Sequence, residues 1–200
     1  MNTLKKDINN EHGLWTSFLD GNKVAFATIY TRHVDALYSY GFKICPNTDL
    51  VKDSIQDVFI DLFQHREQLS KPSNIKFYLF KVLKHTVFRK LRKERKFGEL
   101  SEQTLGLFQT EYSIEKKTIL NEIERNRSLL IHKTLAQLSS KQREILYLRF
   151  TMGFSYTEIS EIVTIDHNSV RKQVYRAIKK LRECDHFKNN ECILLFYQLY

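Results

Sequence analysis

Residues 155–182 read SYTEISEIVTIDHNSVRKQVYRAIKKLR. Ser155 and Glu158 stand in the order of a capping box, in which the hydroxyl accepts from the backbone N–H of residue 158 and the carboxylate reaches back. The spacing predicts a helix over YTEISEIV that buries Ile159, Ile162 and the small Ser160. Thr164-Ile165-Asp166 then makes a short turn, with Asp166 placed to cap a second helix. In that second helix Val170, Val174, Ala177, Ile178 and Leu181 fall on one stripe, while Arg171, Lys172, Tyr175, Lys179 and Arg182 share another face. From 167 to 182 there are six cations and no carboxylate. A capped helix, a three-residue turn and a basic amphipathic helix form a helix-turn-helix, whose second helix fits the DNA major groove. An ordinary helical hairpin with a solvated basic side has the same pattern. Solvated faces usually mix signs, and the missing carboxylates favour DNA.

The charge of the whole chain supports a polyanionic partner. Its 200 residues carry a formal net charge of +9. Residues 71–96 hold ten Lys or Arg against Glu94 alone, so this one segment accounts for the whole excess. Hydrophobic content of 42% and charged content of 28% suit a globular chain of one large or two small domains. Cys45, Cys184 and Cys192 are odd in number without C-x-x-C spacing, which points to a reducing compartment. The N-terminal MNTLKKDINNEHG has no apolar core of a signal peptide, and CILLFYQLY at 192–200 is too short to span a bilayer. A cytoplasmic location is expected.

Six Gly, two Pro and apolar residues at three- and four-residue steps predict an all-helical chain in two blocks. In the first, Leu14, Phe18, Phe26, Ile29, Tyr30, Val34, Leu37 and Tyr38 mark one or two helices, ended by Gly41 and Pro46-Asn47-Thr48. A helix from Asp49 to about His65 comes next, then NIKFYLFKVLKHTVFRKLRKERK at 74–96. Residues 97–112 lose the period and turn acidic, as a linker does. The second block, about 113–184, is expected to hold a long helix to Leu138, a helix over 140–151 and the pair already described.

These residues resemble a known family. The run from Ser155 to Arg182 looks like the region 4 helix-turn-helix of sigma-70 family transcription factors, especially the extracytoplasmic-function (ECF) group. LAQLSSKQREILYLRFTMGFS resembles the family's lead-in, with Ser139 in place of Pro. DSIQDVFIDLF, 53–63, is similar to the region 2.2 signature, and residues 74–96 resemble regions 2.3–2.4. Tyr78-Leu79 stands where the family usually has Trp-Leu, and His85 and Arg89 where it favours Asn and Asp.

The resemblance implies two helical domains joined by a flexible linker: 1–96 as region 2, 97–127 as the linker leading into the second domain, 128–184 as region 4, and 185–200 as a tail. It implies core RNA polymerase as partner, through the β′ coiled coil and the β flap, and promoter DNA as target. Asp49, Asp53, Gln56, Asp57, Phe59 and Asp61 are the expected polymerase contacts. Lys76, Phe77, Tyr78, Lys81, Lys84, His85, Phe88, Arg89, Arg92 and Lys93 are expected at the minus-ten element, cations tracking phosphates and rings holding opened bases. Ser155, His167, Asn168, Ser169, Arg171, Lys172, Tyr175, Arg176 and Lys179 are expected at the minus-thirty-five element. An anti-sigma factor is a further candidate partner, and the tail either meets it or folds back on region 4.

Other classes fare worse. The seven His are scattered, no nucleophile constellation or Gly-rich phosphate loop is present, and neither enzyme activity, cofactor nor small-molecule substrate is expected. Cys184, His186 and Cys192 have no fourth metal ligand at suitable spacing. A lipid surface would suit residues 74–96 but leave the second block unexplained. The alternative is a stand-alone helix-turn-helix regulator, which needs neither the acidic helix at 49–65 nor the basic stretch after it.

Overall fold

The structure, a computed structural model, describes residues 11–70, 72, 74–96, 108–109 and 134–183, with side chains omitted for 95 and 96. Among them every regular element is helical, and the chain divides into two compact units, Met1–Leu105 and Gly106–Tyr200. Most of the 97–112 segment, most of the long helix expected before Leu138, and the tail lie outside the described residues.

The first unit holds α1 (Glu11–Leu19), α2 (Lys23–Ile44), α3 (Thr48–Gln64), a 3-10 turn (Arg66–Gln68) and α4 (Ile75–Lys96). The apolar run expected as one or two helices is two. Gly21, at φ 85, breaks it, and the Asn22 side chain accepts from the backbone N–H groups of Val24 and Ala25 to start α2. Asn47 caps α3 in the same way, through Asp49 and Leu50. Helices α2, α3 and α4 pack against one another and α1 against α2. Their core is aromatic: Trp15 meets Phe18 and Tyr78 edge-on, and Tyr40 stacks on Phe80 at 4.8 Å.

Gly41 does not end a helix. It lies inside α2, buried, and a Cβ built there would stand 2.8 Å from Cγ1 of Val51. The missing side chain lets α2 and α3 approach closely, a packing role that breaker logic does not see. Val51 is itself fully buried and β-branched, so it has little room to yield.

The second unit is built from α5 (Ser140–Leu146), a widened π-turn (Tyr147–Thr151), α6 (Tyr156–Val163) and α7 (His167–Arg182). Ser139 and Gln142 form a complete capping box at α5. The helix expected over 140–151 does not stay regular: its last turn widens, with the Met152 N–H bonding the Tyr147 carbonyl, which buries Tyr147 and Leu148 together. Gly153, at φ 78, then reverses the chain. Phe108, from the stretch expected as linker, is also part of this core. It lies 2% exposed with its ring 5.4 Å from Tyr147, and its carbonyl accepts from Nε of Arg143 at 3.0 Å.

The crossing at Gly41 is open to test. Gly41→Ala gains up to about 1 kcal/mol of helix propensity but overpacks the crossing by about 1–3 kcal/mol. The expected outcome is a lower denaturation midpoint for the first unit, partly restored when Val51→Ala is added.

Candidate polymerase and nucleic-acid interfaces

Helix α3 presents two surfaces. Leu50, Val51, Ile55, Val58 and Leu62 face the core, and Asp49, Asp53, Gln56 and Asp61 are exposed in a row along the other side. Among the described residues neither Asp49, Asp53 nor Asp61 has an ion-pair partner. Asp57 differs: its carboxylate holds Nζ of Lys90 on α4 at 3.0 Å. Phe59, expected as a contact, is 4% exposed, its ring edge-on to Tyr30 at 4.9 Å. It is therefore a core side chain first, and it touches the surface only as the floor of a groove.

That groove runs between α2 and α3 and encloses about 680 Å³. Phe26, Tyr30, Tyr38, Ile55, Ile60 and Phe63 line it, with Lys52 and Gln56 at its edge. Tyr30 and Ile60, 41% and 43% exposed, give the groove apolar surface open to solvent. Sequence periodicity places these residues on two helices but does not show that their faces meet.

Helix α4 separates its two chemistries by face. Leu79, Phe80, Leu83, Val87 and Leu91 are buried, whereas Lys81, His85, Arg89, Arg92 and Lys93 are exposed. Lys84 and Phe88 are half-buried and pair one turn apart, Nζ standing 5.8 Å from the ring centroid; Lys81 and Phe77 pair alike at 5.9 Å. Two expected contacts are partly withdrawn from solvent. Burial lowers the pKa of the Lys76 ammonium, an effect opposed by the Glu11 carboxylate. Tyr78 is half-buried beside Trp15, and burial followed by the nearby Asp61 raises its hydroxyl's pKa.

In the second unit the capping box predicted at Ser155 is complete, Ser155 Oγ accepting from the Glu158 N–H and Glu158 reciprocating at 2.8 Å. Helix α6 ends on Thr164 in the left-handed conformation, at φ 56. Asp166 caps α7 as predicted, accepting from the N–H of Ser169 at 3.0 Å and from its hydroxyl. Ser169 is thereby committed to the cap rather than free for a base edge. These bonds from Ser169 hold the Asp166 carboxyl below its ordinary value. His167, Asn168, Arg171, Lys172, Tyr175, Arg176 and Lys179 are all exposed, Tyr175 by 70%. Val170, Val174, Ala177 and Leu181 are buried, and Ile178 and Ser160 only half so.

The comparisons with known proteins fit this geometry. The family model for Sigma-70 region 2 matches residues 29–97, and that for Sigma-70 region 4 matches 128–181, together more than half of the chain. The chain belongs to the sigma-70 family. Relatives include the RNA polymerase sigma factor SigV of Bacillus subtilis, 26% identical over 80% of this chain and 90% of that protein. The ECF sigma factor SigX of the same organism is 22% identical over 79% and 82%. The fold is shared with the sigma factor RpoE of Bartonella quintana, solved with the anti-sigma factor NepR, at TM-score 0.57 and 21% identity over 82% of this chain and 98% of that one. It is shared also with CnrH, solved with the cytosolic domain of CnrY, at TM-score 0.54 and 21% identity over 85% and 93%. With these relatives the chain falls in the ECF group.

Sequence reasoning misses three residues of these surfaces. Nothing in the pattern announces that Lys90 has a partner on another helix. Arg149 and Tyr156 flank a turn, and their seven-residue separation across it gives no sign of contact. The structure brings them together: Arg149 Cζ lies 4.7 Å from the Tyr156 ring centroid and Nη1 donates to the Phe154 carbonyl at 2.9 Å.

The cap at α7 has a pH signature. A carboxyl whose folded pKa is depressed stabilises above its unfolded value, and the contribution disappears as pH falls through the folded one. Replacing Asp166 with Ala should therefore speed amide exchange at the start of α7 at neutral pH. The difference from the parent chain should shrink below the ordinary value of 3.8.

Proposed function

We infer that this chain is an ECF-type sigma factor, which binds core RNA polymerase and directs promoter-specific initiation through the minus-ten and minus-thirty-five elements. The carrying observation is the order of the two units. A region 2 bundle with a cationic α4 precedes a region 4 helix-turn-helix, and each matches its own family model. A plain regulator would leave the acidic row and aromatic groove of α3 without a purpose. Sigma factors are initiation factors rather than enzymes. On this reading the chain catalyses no reaction of its own and acts in the cytoplasm of a bacterium.

Within that function the faces divide the labour. Asp49, Asp53, Gln56 and Asp61, with the groove beside them, offer a polymerase coiled coil both carboxylates and an apolar seat. Lys81, His85, Arg89, Arg92 and Lys93 face the minus-ten region, and the half-buried Phe77 and Phe88 are the rings available to opened bases. Asn168, Arg171 and Lys172, early on α7, reach base edges, while Arg176 and Lys179 meet phosphates. Melting then draws on binding energy released in the single-stranded state. Two weak readers on one chain gain from effective concentration, so strong promoter binding requires the polymerase that holds both. An anti-sigma partner, as RpoE has in its complex with NepR, is expected to compete for a surface that polymerase needs.

Run-off transcription with purified bacterial core polymerase tests the reading. Added chain should produce discrete transcripts from a subset of genomic fragments, and their absence on every fragment would sink it. Replacing Asp53 with Lys should reduce co-purification with core polymerase about tenfold or more, the scale of a lost charge pair with a repulsion added. Unchanged co-purification would move the docking face elsewhere.

A further inference from the structure

Phe108 stands in the stretch that reads as linker, yet it is built into the second unit. Its ring is 2% exposed and lies 5.4 Å from that of Tyr147, which is also buried. Its backbone is held on both sides as well. The N–H donates to Oγ of Ser140 at 2.5 Å, and the carbonyl accepts from Nε of Arg143 at 3.0 Å. Both partners are side chains of α5. A peptide group bonded at donor and acceptor escapes the penalty of an unsatisfied buried group, so ring and backbone favour the same seat. The seat is itself braced: Nη1 of Arg143 donates to the Leu138 carbonyl at 2.7 Å, and Nζ of Lys180, on α7, to the Gln137 carbonyl at 2.5 Å.

An anchor inside a connecting segment changes what the length of that segment means. The chain divides into its two units between Leu105 and Gly106, so Phe108 lies just past the boundary. From Lys96, the end of α4, to Phe108 the chain can span at most about 40 Å. The next buried residues among those described are Thr134 and Leu135. Without the anchor the limit, counted from Lys96 to Thr134, would be about 130 Å. Residues 109–133 start and finish on the same unit, so their length adds nothing to the reach between the two.

We propose that Phe108 is the anchor that ends the tether between the two promoter readers, so that residues 97–107 alone limit how far apart the DNA elements can lie. Phe108 is a positioning residue: it needs no contact with DNA and works through the length of chain it leaves free. The property it selects is the spacer, the duplex between the two elements. A short tether raises the effective concentration of one reader beside the other, and it penalises any spacer that stretches it. The inference rests on the sigma-factor reading above.

The test uses holoenzyme assembled from core polymerase and full-length chain. Promoters that the parent holoenzyme recovers from a random-sequence pool are rebuilt with spacers of graded length, and transcript yield is measured against that length. Inserting about six Gly or Ser residues between Glu102 and Gln103 adds about 20 Å of reach. Yield from a spacer lengthened by about three base pairs, about 10 Å of duplex, should then rise severalfold relative to the parent's preferred spacer. The same insertion between Thr110 and Glu111 should leave the profile unchanged. Phe108→Ala should broaden the profile as the upstream insertion does, and in that background the two insertions should act alike. If Phe108 merely fills the core, its removal lowers the melting temperature with the profile unmoved, and the two insertions act alike in the parent chain too. That result, or an unchanged profile with the upstream insertion, overturns the anchor while the sigma-factor reading stands. Failure of the parent holoenzyme to recover any promoter overturns both.

Discussion

A helix with nine cations and one carboxylate can be held on a globular body only through its apolar stripe. In α4 that stripe is Leu79, Phe80, Leu83, Val87 and Leu91, each 3% exposed or less. Each such side chain is worth about 1.5–3 kcal/mol when fully buried. Together they outweigh the mutual repulsion of the outer face, which water and salt screen. Core and cationic face are therefore one constraint seen from two sides. Aromatic side chains from the neighbouring helices receive that stripe, Trp15 against Tyr78 and Tyr40 against Phe80, and they fix the orientation of the exposed cations.

The second unit solves a similar problem with less mass. Helices α5, α6 and α7 begin on Ser139, Ser155 and Asp166, and each of these side chains accepts from a backbone N–H three residues on. Caps at all three starts fix where each helix begins and so which residues come first into a groove. Thr164 shows what the tight turn demands. A β-branched residue held at φ 56 is sterically unfavourable, and it persists because the buried Ile162, Val163 and Val170 on either side dictate the path.

Much of this is legible in the sequence. Local rules work where the cause is local: the helix-turn-helix boundaries, two of the caps and the inward stripe of α7 come from spacing alone. They fail where the cause lies on another element. Gly41 reads as a breaker until Val51 is seen against it. Phe108 reads as linker until Tyr147 and Arg143 receive it, and Ser169 reads as a base contact until Asp166 accepts from its hydroxyl. Phe59 carries the family signature, yet its ring is spent on the core. The groove between α2 and α3 cannot be foreseen at all, because helical period tells which residues share a face and not which faces meet.

The ion pair between Asp57 and Lys90 joins α3, the helix proposed to face polymerase, to α4, the helix proposed to face DNA. Any partner that takes the carboxylate returns the ammonium to solvent, and the reverse holds with equal force. The side chains are 40% and 25% exposed, so water and salt weaken their attraction. Such a pair is worth no more than about 1 kcal/mol, which limits the linkage through it to about fivefold. A sigma factor so wired would feel its two large partners as mild allies at this one contact. Whatever stronger dependence links polymerase to promoter must come from geometry rather than from this charge.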